Sequence, residues 1–124
     1  MSELREVDRK VLDFMLARPG TPCDELRAQL PYLSVRQFER SAMGFFTEFD
    51  VASGANPLTA TPNLEIGNDV VATSPEVEVG IGFLLFVRNG FIDMLEGFTL
   101  TSDDWTKDES QIQICPEYRK PRHT

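Results

Sequence analysis

Val79-Gly80-Ile81-Gly82-Phe83-Leu84-Leu85-Phe86-Val87-Arg88-Asn89-Gly90-Phe91-Ile92-Asp93-Met94-Leu95-Glu96-Gly97-Phe98 holds two apolar runs around an Asn-Gly pair. A type I′ turn selects that pair because both central residues take positive φ, and the turn joins antiparallel strands by a two-residue loop. With Arg88 opposite Phe91, a regular register puts Val87 with Ile92, Leu85 with Met94, Phe83 with Glu96 and Ile81 with Phe98 on one face. The other face carries Phe86 with Asp93, Leu84 with Leu95 and Gly82 with Gly97. Both faces are mostly apolar, so the hairpin belongs at the centre of its sheet, with cover on each side.

That register sets Glu96 on an apolar stripe between Met94 and Phe98. A carboxylate buried there needs a raised pKa or a specific donor, such as a backbone amide, Arg36 or Arg40. Asp93 has the opposite parity, so on a regular strand the two acids face apart and form no acid and base pair of the glycosidase kind.

Working toward the N-terminus, Phe45, Thr47, Phe49 and Val51 alternate with Glu48 and Asp50, the pattern of a half-buried strand. Residues 34–43 are too short and polar to assign. Leu4, Val7, Val11, Phe14 and Met15 recur at helical spacing, which predicts a helix from about Glu3 to Ala17, stopped by Arg18-Pro19-Gly20. Thr21 is placed to cap a second helix, with Pro22 first and Asp24 and Glu25 in its opening turn. Leu26, Leu30 and Leu33 form its stripe, which Pro31 cuts. Between the Phe45 to Val51 strand and the hairpin, a polar loop from Ser53 to Asn63 precedes a short strand at Leu64 to Gly67; after the hairpin, Gln111 to Ile114 alternate as a final strand suited to an edge. The expected fold is α+β, one domain over 1–124: a helical part (1–33) packed on an antiparallel sheet of about five strands (34–115), then a basic tail (116–124).

The chain has 124 residues, 41% hydrophobic and 26% charged, enough to bury a core without disulfide or metal staples. Cys23 and Cys115 are too few for a disulfide framework and read as reduced thiols. No membrane-length apolar run or signal-like N-terminus is present, and the expected location is cytoplasmic. The one histidine, His123, lies beside the C-terminus, which makes His-based nucleophilic catalysis and catalytic zinc poor fits. There is no phosphate loop, and Leu85 stands where a dinucleotide fingerprint beginning at Gly80 needs its third glycine. No cofactor and no metal are expected.

Charge is uneven. Residues 1–40 balance seven basic against seven acidic residues, residues 41–117 carry −11 and residues 118–124 carry +3, giving −8 in all. Such a surface repels phosphate backbones and steers a basic protein toward it, so the expected partner is protein rather than nucleic acid or membrane. Trp105, the only tryptophan, sits among Asp103, Asp104, Asp108 and Glu109, either as a partner anchor or folded back over the sheet end.

Gly44-Phe45-Phe46-Thr47, followed by Gly82 to Thr99, resembles a family of small bacterial proteins in which a GFFT-like strand precedes an LLFVxxGxIxxLEGYTY-like hairpin and a tryptophan-containing acidic turn. The resemblance covers roughly residues 33–106, and this chain departs from it at Leu100 and Thr106. Members look like immunity proteins of contact-dependent growth inhibition and related polymorphic toxin systems. The resemblance implies a stoichiometric inhibitor of a cognate toxin domain, a basic nuclease for example, acting without catalysis. The residues expected at the interface are Asp103, Asp104, Trp105, Asp108 and Glu109, with Glu48 and Asp50 as a second patch; Glu65, Glu76 and Glu78 are as acidic. The rival expectation is a small enzyme or ligand-binding protein using Glu96 or Asp93 in a helix–sheet pocket. A homodimer through the Ile112 to Ile114 edge is a third.

Overall fold

The computed structural model describes residues 3–100, 104–105 and 108–115, apart from the side chains of 78 and 79. The expected Asp103 and the basic tail from 116 lie outside the described residues.

The fold is α+β, a helical N-terminal part followed by an antiparallel sheet. Helix α1 (Glu6–Met15) starts after Arg5, whose backbone is extended. It is shorter than the expected 3–17, because the chain turns into Arg18-Pro19-Gly20, where Gly20 has φ +94°. Val7, Val11, Leu12 and Met15 are buried, and Leu4 and Phe14 pack at the margin. The same face buries Asp8.

Helix α2 (Cys23–Arg27) is a turn and a half, burying only Leu26. Thr21 does not cap it: Pro22 occupies the cap position and the Asp24 carboxylate accepts from Gly20 N–H at 3.0 Å, closing the entry turn from inside the helix. A 3₁₀ turn (Leu30–Tyr32) absorbs Pro31. Between them Gln29 is buried with every polar atom used. Its Nε2 donates to the Asn56 and Gly90 carbonyls at 2.9 Å each, and its Oε1 accepts from Ile92 N–H at 2.9 Å. That pairs the Ile92 N–H beside the hairpin turn and the Asn56 carbonyl of the preceding loop, and gives the Gly90 carbonyl a second donor beside Leu58 N–H.

Among the described residues seven strands form one sheet, where about five were expected: β1 (Leu33–Ser41), β2 (Gly44–Val51), β3 (Leu64–Ile66), β4 (Val71–Ser74), β5 (Val77–Arg88), β6 (Phe91–Thr99) and β7 (Gln113–Ile114). The lateral order is β1-β2-β6-β5-β4-β7, with β3 beside the far end of β5. The unassigned 34–43 stretch is mostly β1, an edge strand whose polar residues suit solvent. The unexpected β4 is short and joins β5 through a tight turn at Pro75-Glu76. β5 and β6 are central, and Asn89 (φ +53°) with Gly90 (φ +86°) makes the expected turn.

The hairpin register departs from the regular one. Arg88 faces Phe91 and Val87 faces Ile92, but Phe86 then faces Met94, so Asp93 is the extra residue of a β-bulge. Beyond it Leu85 faces Leu95, Leu84 faces Glu96 and Phe83 faces Gly97. Ile81, Phe83, Leu85 and Val87 on β5, with Ile92 and Leu95 on β6, are buried in one core with α1, Leu26, Leu58 and Phe49. The expected cover on both faces is therefore found on one. No described helix lies on the other face, where Leu84, Phe86, Met94, Glu96 and Phe98 are half-buried.

Candidate functional site

The uncovered face is built in rows across the strands. Glu39, Phe46, Glu96 and Leu84 lie side by side on β1, β2, β6 and β5. On one side of this row run Ser41, Gly44, Phe98, Gly82 and Val71, and on the other Gln37, Glu48, Met94, Phe86 and Glu65. Gly82 has a steric reason: a Cβ there would stand 2.8 Å from the Phe98 ring, so its absence lets Phe98 lie over β5. A recess of about 420 Å³ opens beside that ring, lined by Glu39, Met43, Phe46, Glu96 and Phe98 over the backbone of Gly44 and Gly97.

Cations on this face gather at one end. Arg36 donates to Glu48 and Asp50 at 3.2 Å each and to the Phe49 carbonyl at 3.0 Å, and the two carboxylates hold its pKa above the ordinary arginine value. Arg88 lies 3.3 Å from Asp93. Arg40, although it borders the recess, pairs with Glu109 on the other side of the sheet at 3.2 Å. None of the described arginines reaches Glu39 or Glu96 in an ion pair.

Glu96 and Asp93 both lie on the uncovered face, correcting two expectations. The bulge turns Glu96 away from the helices, so it faces Phe46 and Leu84 rather than Phe83, and the opposite-face argument for the two acids fails because the strand is not regular between them. Neither acid lines a helix–sheet pocket.

The acidic loop is drawn inward at the end of the sheet. Trp105 is 6% exposed, packed on Phe45 with ring centroids 5.2 Å apart. Its Nε1 donates to Glu109 at 3.0 Å and its backbone N–H to the Ala42 carbonyl at 2.6 Å. Trp105 is thus no exposed anchor; an indole gains more by covering Phe45 with its N–H satisfied than by standing in water. Glu109 also accepts from Arg5 at 2.7 Å and meets Arg40 at 3.2 Å. Asp104 and Asp108 are exposed, and Ser110 holds the Asp108 carboxyl below the usual range. Of the second patch, Glu48 and Asp50 are tied to Arg36.

Sequence reasoning missed the cluster behind Trp105. Arg5 lies over the Phe38 ring at 3.7 Å, bonds both oxygens of Asp8 and reaches Thr47, whose hydroxyl donates to Asp8 at 3.0 Å. Burial pushes the Asp8 carboxyl above its ordinary value, opposed by Arg5 and Thr47. Its signal was an acid inside the apolar stripe, three residues after an arginine. Arg5 and Thr47 satisfy Asp8 and Arg5 also donates to Glu109, so the cluster binds α1 to the sheet and to the C-terminal segment.

Among the described residues no three His, Cys, Asp or Glu side chains converge to hold a metal ion, and no helix is long and apolar enough to cross a membrane. Cys23 and Cys115 are free thiols. Compared with known proteins, the chain matches no family model, no curated protein and no solved structure.

Proposed function

We propose that this chain is a cytoplasmic immunity protein that binds a cognate bacterial toxin domain, a basic nuclease for example, and neutralises it stoichiometrically without bond chemistry. The observation that carries this reading is the uncovered sheet face: half-buried aromatic and aliphatic side chains, edged by carboxylates, on a protein of net charge −8. Apolar surface edged by charge of one sign is what a protein interface of opposite sign covers, and the field of the whole molecule speeds that encounter. The resemblance of the GFFT strand and the hairpin to immunity proteins supports the same conclusion. Asp104 is an exposed acid at the sheet end; Asp108, also exposed, already accepts from Ser110, and Trp105, Glu109, Glu48 and Asp50 serve the protein's own structure first.

The test is co-expression. On this reading the neighbouring gene encodes a secreted effector, whose C-terminal domain expressed alone should arrest growth; cells that also express this chain should grow normally, and the two proteins should co-purify as a stable complex. Arrest that persists despite equal expression of the chain rules the reading out.

A further inference from the structure

We propose that the recess between Met43, Phe46, Glu96 and Phe98 receives one arginine or lysine side chain of the partner protein, with the apolar face around it covering the partner's flanking residues. This rests on the immunity reading and names the contact within it.

The recess brings carboxylates and aromatic rings together, and the one described cation that lines it, Arg40, is paired with Glu109 at 3.2 Å rather than with Glu39 or Glu96. Phe46 and Phe98 border it, and aromatic faces attract cations through their quadrupoles. Glu96 stands between them at the centre of the face, with Phe46 and Leu84 as cross-strand neighbours and none of the described arginines within ion-pair reach. Glu39 adds a second negative charge from β1. A half-buried carboxylate among apolar groups gives up much of its hydration, and a guanidinium that arrives with its own donors restores it as a charge-assisted hydrogen bond.

The surroundings select the kind of occupant. Leu84, Phe86, Met94 and the 44%-exposed Leu100 extend the apolar surface well past the recess, farther than a free small cation can cover. A second copy of this chain is the wrong partner electrostatically, since two molecules of charge −8 would oppose Glu39, Glu65 and Glu96 to the same residues or to one another. A cationic protein surface with apolar residues on either side of its arginine or lysine meets both requirements.

The test uses the isotopically labelled full chain and amide chemical shifts. Acetyl-Leu-Arg-Leu-amide should perturb Phe46, Leu84, Glu96 and Phe98, and the same peptide with neutral citrulline should bind about tenfold more weakly, the loss of one charge-assisted hydrogen bond. Glu96→Lys, a surface change that leaves the core untouched, should lose the arginine peptide and accept acetyl-Leu-Glu-Leu-amide instead. Equal binding of the citrulline peptide, shifts confined to another surface, or an equal response to ethylguanidinium alone overturns the proposal. So does a dimer in sedimentation equilibrium that Glu96→Lys dissolves. If the effector domain binds wild type and Glu96→Lys equally, the recess assignment fails and the immunity reading stands. If the peptides behave as expected and no effector domain binds, the recess is a cation dock and the immunity reading fails.

Discussion

Arg36 and Asp93 are the extra residues of two β-bulges, one on β1 and one on β6, and their side chains meet across the intervening β2 at 3.7 Å. Each bulge shifts its strand by one residue, and the shift in β6 decides which side chains after residue 92 enter the core. Leu95 is inside and Met94, Glu96 and Phe98 are outside because Asp93 takes no partner on β5.

Deleting Asp93 should therefore be tolerated, because it removes only the extra residue: Ile92 still faces Val87 and Met94 still faces Phe86, so Leu95 stays inside and Met94, Glu96 and Phe98 stay outside. Asp93→Ala loses only half-exposed ion pairs with Arg36 and Arg88 and should cost under about 1 kcal/mol in urea unfolding. The deletion variant should keep a cooperative urea transition, and Glu96 should remain on the open face. Loss of the cooperative transition on deletion would show that the extra residue is needed for more than the register.

Arg5 neutralises the buried Asp8 and also holds Glu109 at 2.7 Å. Arg5→Ala leaves Asp8 buried without its cation, which should cost about 3 kcal/mol, read from the urea midpoint at unchanged slope. A loss under about 1 kcal/mol would mean that water or Thr47 suffices.

Asp8 also sets a pH dependence. Burial raises its folded-state pKa above 3.8, so the folded protein holds this proton more tightly than the unfolded chain. The resulting stability is fully present below the unfolded value and is lost as pH rises through the folded one. Asp8→Asn removes that titration, so the stability of wild type relative to the variant should increase as pH falls from neutral to about 4. Asp24 and Asp108, held below 3.8 by Arg27 and by Ser110, act in the opposite sense and lose their contribution only under more acid conditions. A wild-type advantage that shrinks on acidification contradicts the burial of a charged Asp8.

Trp105 provides an optical check. As the only tryptophan, buried on Phe45, it should emit to the blue of N-acetyltryptophanamide, resist acrylamide quenching and shift red on unfolding. Free-indole quenching in the folded protein would return Trp105 to the surface.

The central hairpin was legible because Asn89-Gly90 names its own turn, and α1 was legible because its apolar residues repeat at helical spacing. The bulge was not, because a bulged strand and a regular one share the same run of apolar letters, and Asp93 makes sense only once Arg36 and Arg88 are beside it. β4 was hidden by its brevity and by a turn at Pro75-Glu76 that carries no Asn-Gly signature, while its other partner, β7, is distant in sequence. For the site, acidity was readable from composition, but its distribution was not. Trp105 was open between an exposed anchor and a ring folded back over the sheet end until Phe45 and Glu109 supplied its inward partners, and Glu96, set by a regular register on the stripe with Phe83, lies on the open face because of the bulge.

The most direct measurement is a calorimetric titration of the purified neighbouring effector domain into this protein and into its Glu96→Lys variant, at low and at high salt. Saturation at a fixed ratio with wild type, weakened by salt and lost in Glu96→Lys, is the predicted result. Absence of any heat with an effector domain that is toxic and folded would contradict the account.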